Sequence, residues 1–239
     1  MTTAPHPFEP KQIKSQYPEP VPGASQLVAL PFTAAVAGYL RSVGIADTTR
    51  VVLHRAVNRE GGEFLQQLSA YSGIPYDPRG AGRMNAVTTG IMGKAFALQK
   101  IVRTRAYLSS EALLKDLKKD MKEIGDDRDV KAVARSYLAI PMTSSAKSVV
   151  AILYADTFSI NAFSDDDRLN CLIGMCEDFC QLLDNLTAQS LPGIQNFELT
   201  RGAPVKDTAT VYPRLQEVLE DRATPKFARL TSLNFEAAS

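Results

Sequence analysis

The chain has 239 residues, 45% hydrophobic and 22% charged, an ordinary globular composition that excludes wholesale disorder or a collagen-like repeat. Lys plus Arg number 27 against 26 Asp plus Glu, so the basic excess on which phosphate-neutralising nucleic-acid binders rely is missing. No apolar run approaches the roughly 18 residues that span a bilayer, and the first seven residues (MTTAPHP) have neither the charged nor the apolar region of a signal peptide. Three cysteines, all on one predicted helix, make no disulfide framework and point to the reducing cytoplasm. No nucleic-acid or membrane partner is therefore expected.

In chain order, residues 1–24 carry Pro5, Pro7, Pro10, Pro18, Pro20 and Pro22, which favour extended backbone, so this segment reads as a flexible arm. A helix is predicted over 26–43 from the spacing of Phe32, Val36, Tyr39, Leu40 and Val43, with Pro31 in its first turn and Gly44 as its stop. Arg50–Val57 and Glu63–Tyr71 read as strands of a hairpin around Gly61-Gly62. A loop follows over 72–85, then a short helix over 88–98 with Ile91, Ala95 and Leu98 on one face. Ile101–Tyr107 alternates apolar and basic residues, as a half-buried strand does.

The most amphipathic helix is predicted over 110–124. Leu113, Leu117, Met121 and Ile124 form its buried stripe, and Lys115, Lys118, Lys119 and Lys122 interleave with Asp116, Asp120 and Glu123 on the solvated faces. Residues 137–143 and 148–156 read as strands around a turn at Ser144-Ser145, the second apolar enough for a central strand. Pro141 suggests an edge or a bulge in the first. Ser164 with Asp167 forms a capping-box pattern before a helix reaching residue 186. Leu169, Leu172, Ile173, Cys176, Cys180 and Leu183 form its core stripe, and Phe179, Leu182 and Leu186 widen the apolar arc beyond what one packed face needs. That excess predicts a partner helix. Residues 188–239 read as a mostly disordered tail, with one short helix over 212–221 and scattered Phe227, Leu230, Leu233 and Phe235.

An antiparallel sheet with helices on its faces is an α+β architecture. At Gly90-Ile-Met-Gly93-Lys-Ala-Phe96, Lys100–Arg105, Ser136–Met142, Val149–Asp156 and Phe163–Leu169 the chain resembles the GAF domain family, cytoplasmic sensor modules shaped like PAS domains. The resemblance covers about 26–187, giving a domain at 25–187 between an arm at 1–24 and a tail at 188–239. It implies a small-molecule pocket between the open sheet face and the loop before the short helix, with Tyr71, Arg83, Asn85, Thr88, Thr89, Arg103, Tyr137 and Asp156 as candidate lining residues. Arg83, Asn85, Thr88 and Thr89, just before a helix N-terminus, suit an anionic or nucleotide-like ligand. Gly90 and Gly93 are expected to let that helix start close to the sheet.

Several family chemistries fit poorly. The Asn-Lys pair of cyclic-nucleotide binders is replaced by Tyr154-Ala155-Asp156, and Arg168 follows Asp167 where those members carry Glu. The cysteines of the last helix are far in sequence from the pocket loops, against bilin attachment, and residues 72–143 contain none, against a methionine sulfoxide reductase. His6 and His54 stand alone, so no metal site is expected; His54 reads as a hydrogen-bonded strand histidine. The expectation is a non-catalytic sensory or regulatory domain. Its predicted partners are a small molecule, a second copy bound through helices 26–43 and 165–186, and a protein that captures the C-terminal tail. The alternative is an interaction module whose pocket has collapsed.

Overall fold

The computed structural model describes residues 21, 23–45, 48–59, 62–74, 80–88, 90–123, 129–188, 215–217, 224–228 and 230. Helix α1 (Gly23–Ser42) leads into the hairpin β1 (Arg50–Arg59) and β2 (Gly62–Gln67). Then come β3 (Met84–Ala86), α2 (Gly90–Leu98), β4 (Val102–Thr104), α3 (Ser110–Glu123) and a 3₁₀ turn at Val130–Ala132. A second hairpin, β5 (Ser136–Thr143) and β6 (Val149–Thr157), precedes α4 (Asp166–Ala188) and a short strand β7 (Leu215–Glu217). The sheet order is β3-β2-β1-β6-β5-β4-β7 with every strand pair antiparallel, so the α+β expectation holds. Among the described residues no helix is long and apolar enough to cross a membrane.

β6 lies at the middle of the sheet, bonded to β1 on one side and β5 on the other. Its side chains alternate between faces. Ala151, Leu153 and Ala155 join Val51, Leu53, Leu138, Ile140 and Met142 in a core under α1 and α4. Ile152 and Tyr154 join Ala56, Leu65, Val102 and Ala139 under α2 on the other face. α3 packs on that second face too, through Leu117, Met121 and the half-buried Tyr137. Pro141 lies inside the sheet, but β4 reaches only as far as Ala139, so Pro141 has one strand partner, Ile152, and the register slips just beyond it at Met142/Thr143.

Local details differ from the sequence reading where tertiary packing overrides propensity. α1 starts at Gly23, which puts Pro31 in the helix interior rather than the first turn. There it removes the bond that the Leu27 carbonyl would receive, while Thr33 Oγ1 donates to the Ala29 carbonyl and hydrogen-bonds Ser72 Oγ at 2.8 Å. The predicted stop is a full Schellman end: Ile45 N–H donates to Leu40 O and Gly44 N–H to Arg41 O. α4 begins two residues after Ser164, and its N-cap is Asp165, whose carboxylate accepts from Arg168 N–H at 2.7 Å. Ser164 instead donates to Asn161 O. Asp120, expected on a solvated face of α3, is fully buried. Gly93 is required, but by its own turn: a Cβ there would sit 2.7 Å from Val87 O. Gly90 instead supplies a positive φ of 68° at the start of α2.

The C-terminal segment departs most from expectation. Residues 215–217, inside the predicted helix 212–221, form β7 and pair with β4. Farther on, Thr143 N–H donates to Pro225 O and Phe227 N–H to Thr143 O. The Asp184 carboxylate on α4 accepts from the N–H groups of Ala228 and Leu230. Phe227 and Leu230 are fully buried in the α1/α4 core, with Phe227 edge-on to Phe179 and Phe32 stacked on it at 4.1 Å. The extra apolar arc of α4 is thus covered in part by α1 and this segment; Leu182 stays exposed. The rest of the arm and tail, and Ile124, lie outside the described residues. Phe227→Ala should cost about 3–5 kcal/mol, seen as a Tm lowered by roughly 10 °C; an unchanged Tm would show that this segment is not part of the fold.

Candidate functional site

Along β1, the residues pointing away from α1 and α4 are Arg50, Val52, His54 and Ala56. The pairing sets Arg50 opposite Asp156, Val52 opposite Tyr154 and His54 opposite Ile152, while Tyr137 on β5 stands opposite Asp156. A strip of polar and aromatic side chains therefore lies on one sheet face, beside the apolar cluster that α2 covers. At its centre is a two-pronged ion pair. Arg50 Nε donates to Asp156 Oδ1 at 2.7 Å, and Nη2 to Oδ2 at 2.6 Å. Tyr154 Oη adds a third bond to Oδ2 at 2.7 Å. Asp156 is 1% exposed, whereas the Arg50 side chain is 39% exposed, so the pair runs from the interior to the rim. Arg50 also lies over the Tyr71 ring, 5.1 Å from its centroid.

The electrostatics follow from burial and charge. The hydrogen bond to Asp156 holds the Arg50 guanidinium further above its already high range. Burial, then the neighbouring Asp156 charge, pushes the Tyr154 hydroxyl well up. Burial likewise raises Tyr71, against the opposing pull of Arg50 and Arg83. His54, edge-on to Tyr154 with ring centroids 6.2 Å apart, is pushed down to about 3 by burial and then by the charge of Arg83. It is a neutral imidazole at ordinary pH. Its Nδ1 has no hydrogen-bond partner, so the expected hydrogen-bonded strand histidine is not what the fold provides at that atom.

Of the residues proposed from sequence, Tyr71, Arg83, Tyr137 and Asp156 belong to this cluster. Tyr71 does so because β2 ends at Gln67: Leu68 N–H still bonds Leu53 O, the next pair is Val51 with Ser72, and the intervening bulge swings Tyr71 under Arg50. Arg83 and Asn85 flank Met84 where β3 forms within the predicted loop, and Asn85 stands opposite Leu65 with its amide 3.5 Å from Leu65 O. Thr88 is exposed in the turn before α2, and Thr89 lies outside the described residues. Arg103 must be removed from the set. It pairs with Leu138 on the α1/α4 face, where it donates to Phe163 O at 3.0 Å and forms an ion pair with Asp166 at 2.9 Å, fastening the turn before α4. Its position one residue out of register with Val102 and Thr104 decides this.

Sequence reasoning missed Arg50, His54 and Tyr154. Period-2 counting back from Asp156 reaches Tyr154, and counting from Arg50 reaches His54; the pairing of Arg50 with Asp156, 106 residues apart, had no local signal. The cysteines lie elsewhere: Cys171 is exposed, and Cys176 and Cys180 are buried in the α4 stripe, where burial pushes both thiols up. Among the described residues no group of three or more His, Cys, Asp or Glu side chains is placed to hold a metal. No protein-family model matches the chain, and no curated protein matches it either.

The buried neutral His54 has a consequence for acid stability. Above pH 6.5 folded and unfolded states are both neutral at this residue. Below it the unfolded chain takes up a proton that the folded chain refuses down to about 3, so stability falls with pH at up to about 1.4 kcal/mol per unit. In urea melts from pH 7 to 4, His54→Leu should lose stability less steeply than the parent; parallel curves would refute the assignment.

Proposed function

We propose that this chain is a non-catalytic GAF-type regulatory domain that binds a small molecule on the sheet face opposite α1 and α4. Its signal then leaves through dimer or partner contacts of those two helices. The observation that supports ligand binding is the gathering of Arg50, Tyr71, Arg83, Tyr137, Tyr154, His54 and Asp156 from five parts of the chain onto one face. Ion pairs at such depth are a poor means of stabilising a fold compared with apolar packing, and perturbed groups cluster where recognition occurs. The raised Cys176 and Cys180 thiols, on the other face of the sheet, argue against thiol chemistry in this reading.

The route for a signal is short. β1 and β6 carry site residues at alternate positions and α1/α4 core residues between them, so a ligand that prefers one strand arrangement biases the helices as well. Leu27, Leu30 and Val43 on or just after α1 and Leu182 on α4 are exposed apolar side chains, suited to a second copy or a partner. One observation favours the alternative of an interaction module without ligand: Asp156 already accepts three hydrogen bonds from Arg50 and Tyr154, so the centre of the site is satisfied by the protein itself.

Native mass spectrometry of the protein purified from its own host separates the two readings. The sensory reading predicts a small mass that persists natively, disappears on denaturation and is diminished in Arg83→Met. A bare dimer, unchanged by that substitution, would contradict it and favour the interaction module.

A further inference from the structure

Two consecutive rungs between β1 and β2 carry paired polar side chains, and they end differently. On the α1/α4 face, Arg55 stands opposite Gln66 and donates from Nε to its Oε1 at 2.8 Å. On the site face, His54 stands opposite Gln67, and neither His54 Nδ1 nor Gln67 Oε1 has a hydrogen-bond partner among the described residues, although the two are 1% and 0% exposed. The Gln67 amide is not free to turn. Its Nε2 donates to Ser69 O at 2.7 Å and lies directly beneath Gly80, where a Cβ would collide with it. Its oxygen is therefore a fixed acceptor. A buried acceptor without a donor is destabilising, and folded proteins carry few of them. Side chains directly opposite on neighbouring strands have Cβ atoms about 5 Å apart, so the two unpartnered atoms belong to one rung of the site face.

The surroundings narrow the chemistry. Gln67 is neutral and His54 stays neutral, while the Asp156 carboxylate is already engaged by Arg50 and Tyr154. A buried ammonium would have no counter-ion at this rung, and an unpaired buried charge is far costlier than a neutral N–H. Arg83, just before β3, lies beside Gln67, its carbonyl accepting from Gln67 N–H at 2.9 Å, and it makes no ion pair among the described residues. Among the described residues of the cluster, Arg50 and Arg83 against Asp156 leave one positive charge in excess. We infer that the ligand joins a neutral N–H donor, in an amide, lactam or heteroaromatic ring, to an anionic carboxylate or phosphate group. The N–H docks on Gln67 Oε1, beside the unpartnered His54 Nδ1, and the anion on Arg83. This inference rests on the ligand-binding reading above and specifies the occupant of that site.

Orotate carries a ring N–H and a carboxylate; benzoate has only the anion and uracil only the N–H. Each is titrated into the full chain while the Gln67 side-chain amide and the His54 ring nitrogens are followed by ¹⁵N NMR. Orotate should shift these signals saturably, with benzoate and uracil roughly tenfold to a hundredfold weaker, the loss of one charge-assisted hydrogen bond. Arg83→Met and Gln67→Met should each weaken orotate by a similar factor, and Gln67→Met should keep or raise the Tm of the free protein. Unmoved signals at millimolar orotate, equal binding of all three probes, or a resident water detected at the Gln67 amide would overturn the inference. A bound mass in host-purified protein together with any of these results would leave the sensory reading standing; no bound mass and no probe binding would remove both.

Discussion

The two-sided bonding of β6 is the constraint on which the rest depends. Hydrogen-bonded to β1 and β5 along its length and buried on both faces, it fixes which side of the sheet every neighbouring residue occupies. One parity of β1, β5 and β6 builds the α1/α4 core; the other parity builds the apolar cluster under α2 and the polar strip beside it. A slip of one residue would exchange Leu53 with His54 and Leu153 with Tyr154, burying polar groups under α4 and exposing the core. The bidentate Arg50–Asp156 pair stands at the end of this register, so the same pairing that holds the sheet together also places the centre of the candidate site.

The two faces are not equally covered. Under α1 and α4 the packing is apolar and is completed by Phe227 and Leu230 from the far C-terminus. Under α2 and α3 the apolar cluster ends at Tyr154, beyond which Arg50, Tyr71 and Asp156 lie, Arg50 and Tyr154 bonding Asp156 and Arg50 lying over Tyr71. A regulatory reading draws on that asymmetry: one face is a rigid platform for helices, and the other keeps charged and aromatic groups close to solvent through Arg50. Both faces share strands, which is what a coupled response needs.

Much of the fold was legible because long elements announce themselves by period. The stripe of Leu113, Leu117 and Met121 and that of Leu169 to Leu183 identified α3 and α4, and the Gly61-Gly62 pair in the sequence pointed to the first hairpin. β3 and β7, three residues each, were not legible, since pairing with β2 and β4 rather than their own composition makes them strands. Pro31 sits inside α1 for a similar reason: packing of Val36, Ala37 and Leu40 on the sheet outweighs one missing bond. Of the polar cluster, Asp156, Tyr71, Arg83 and Tyr137 are named through resemblance to a family pattern, whereas Arg103 lies on the opposite face, a parity that cannot be read without the strand's register. Arg50 and His54 lay hidden in an otherwise apolar strand, and their meaning came only from what stands opposite them.

The most direct test is a ¹⁵N NMR comparison of the full chain as purified from its host with the same protein after unfolding, dialysis and refolding. Ligand binding coupled to the helices predicts shift changes concentrated at residues 50–56, 65–72, 83–86 and 152–156, with smaller ones continuing into α1 and α4. Identical spectra, or changes confined to the outer surface of α1 and α4, would contradict a small-molecule site on this face of the sheet.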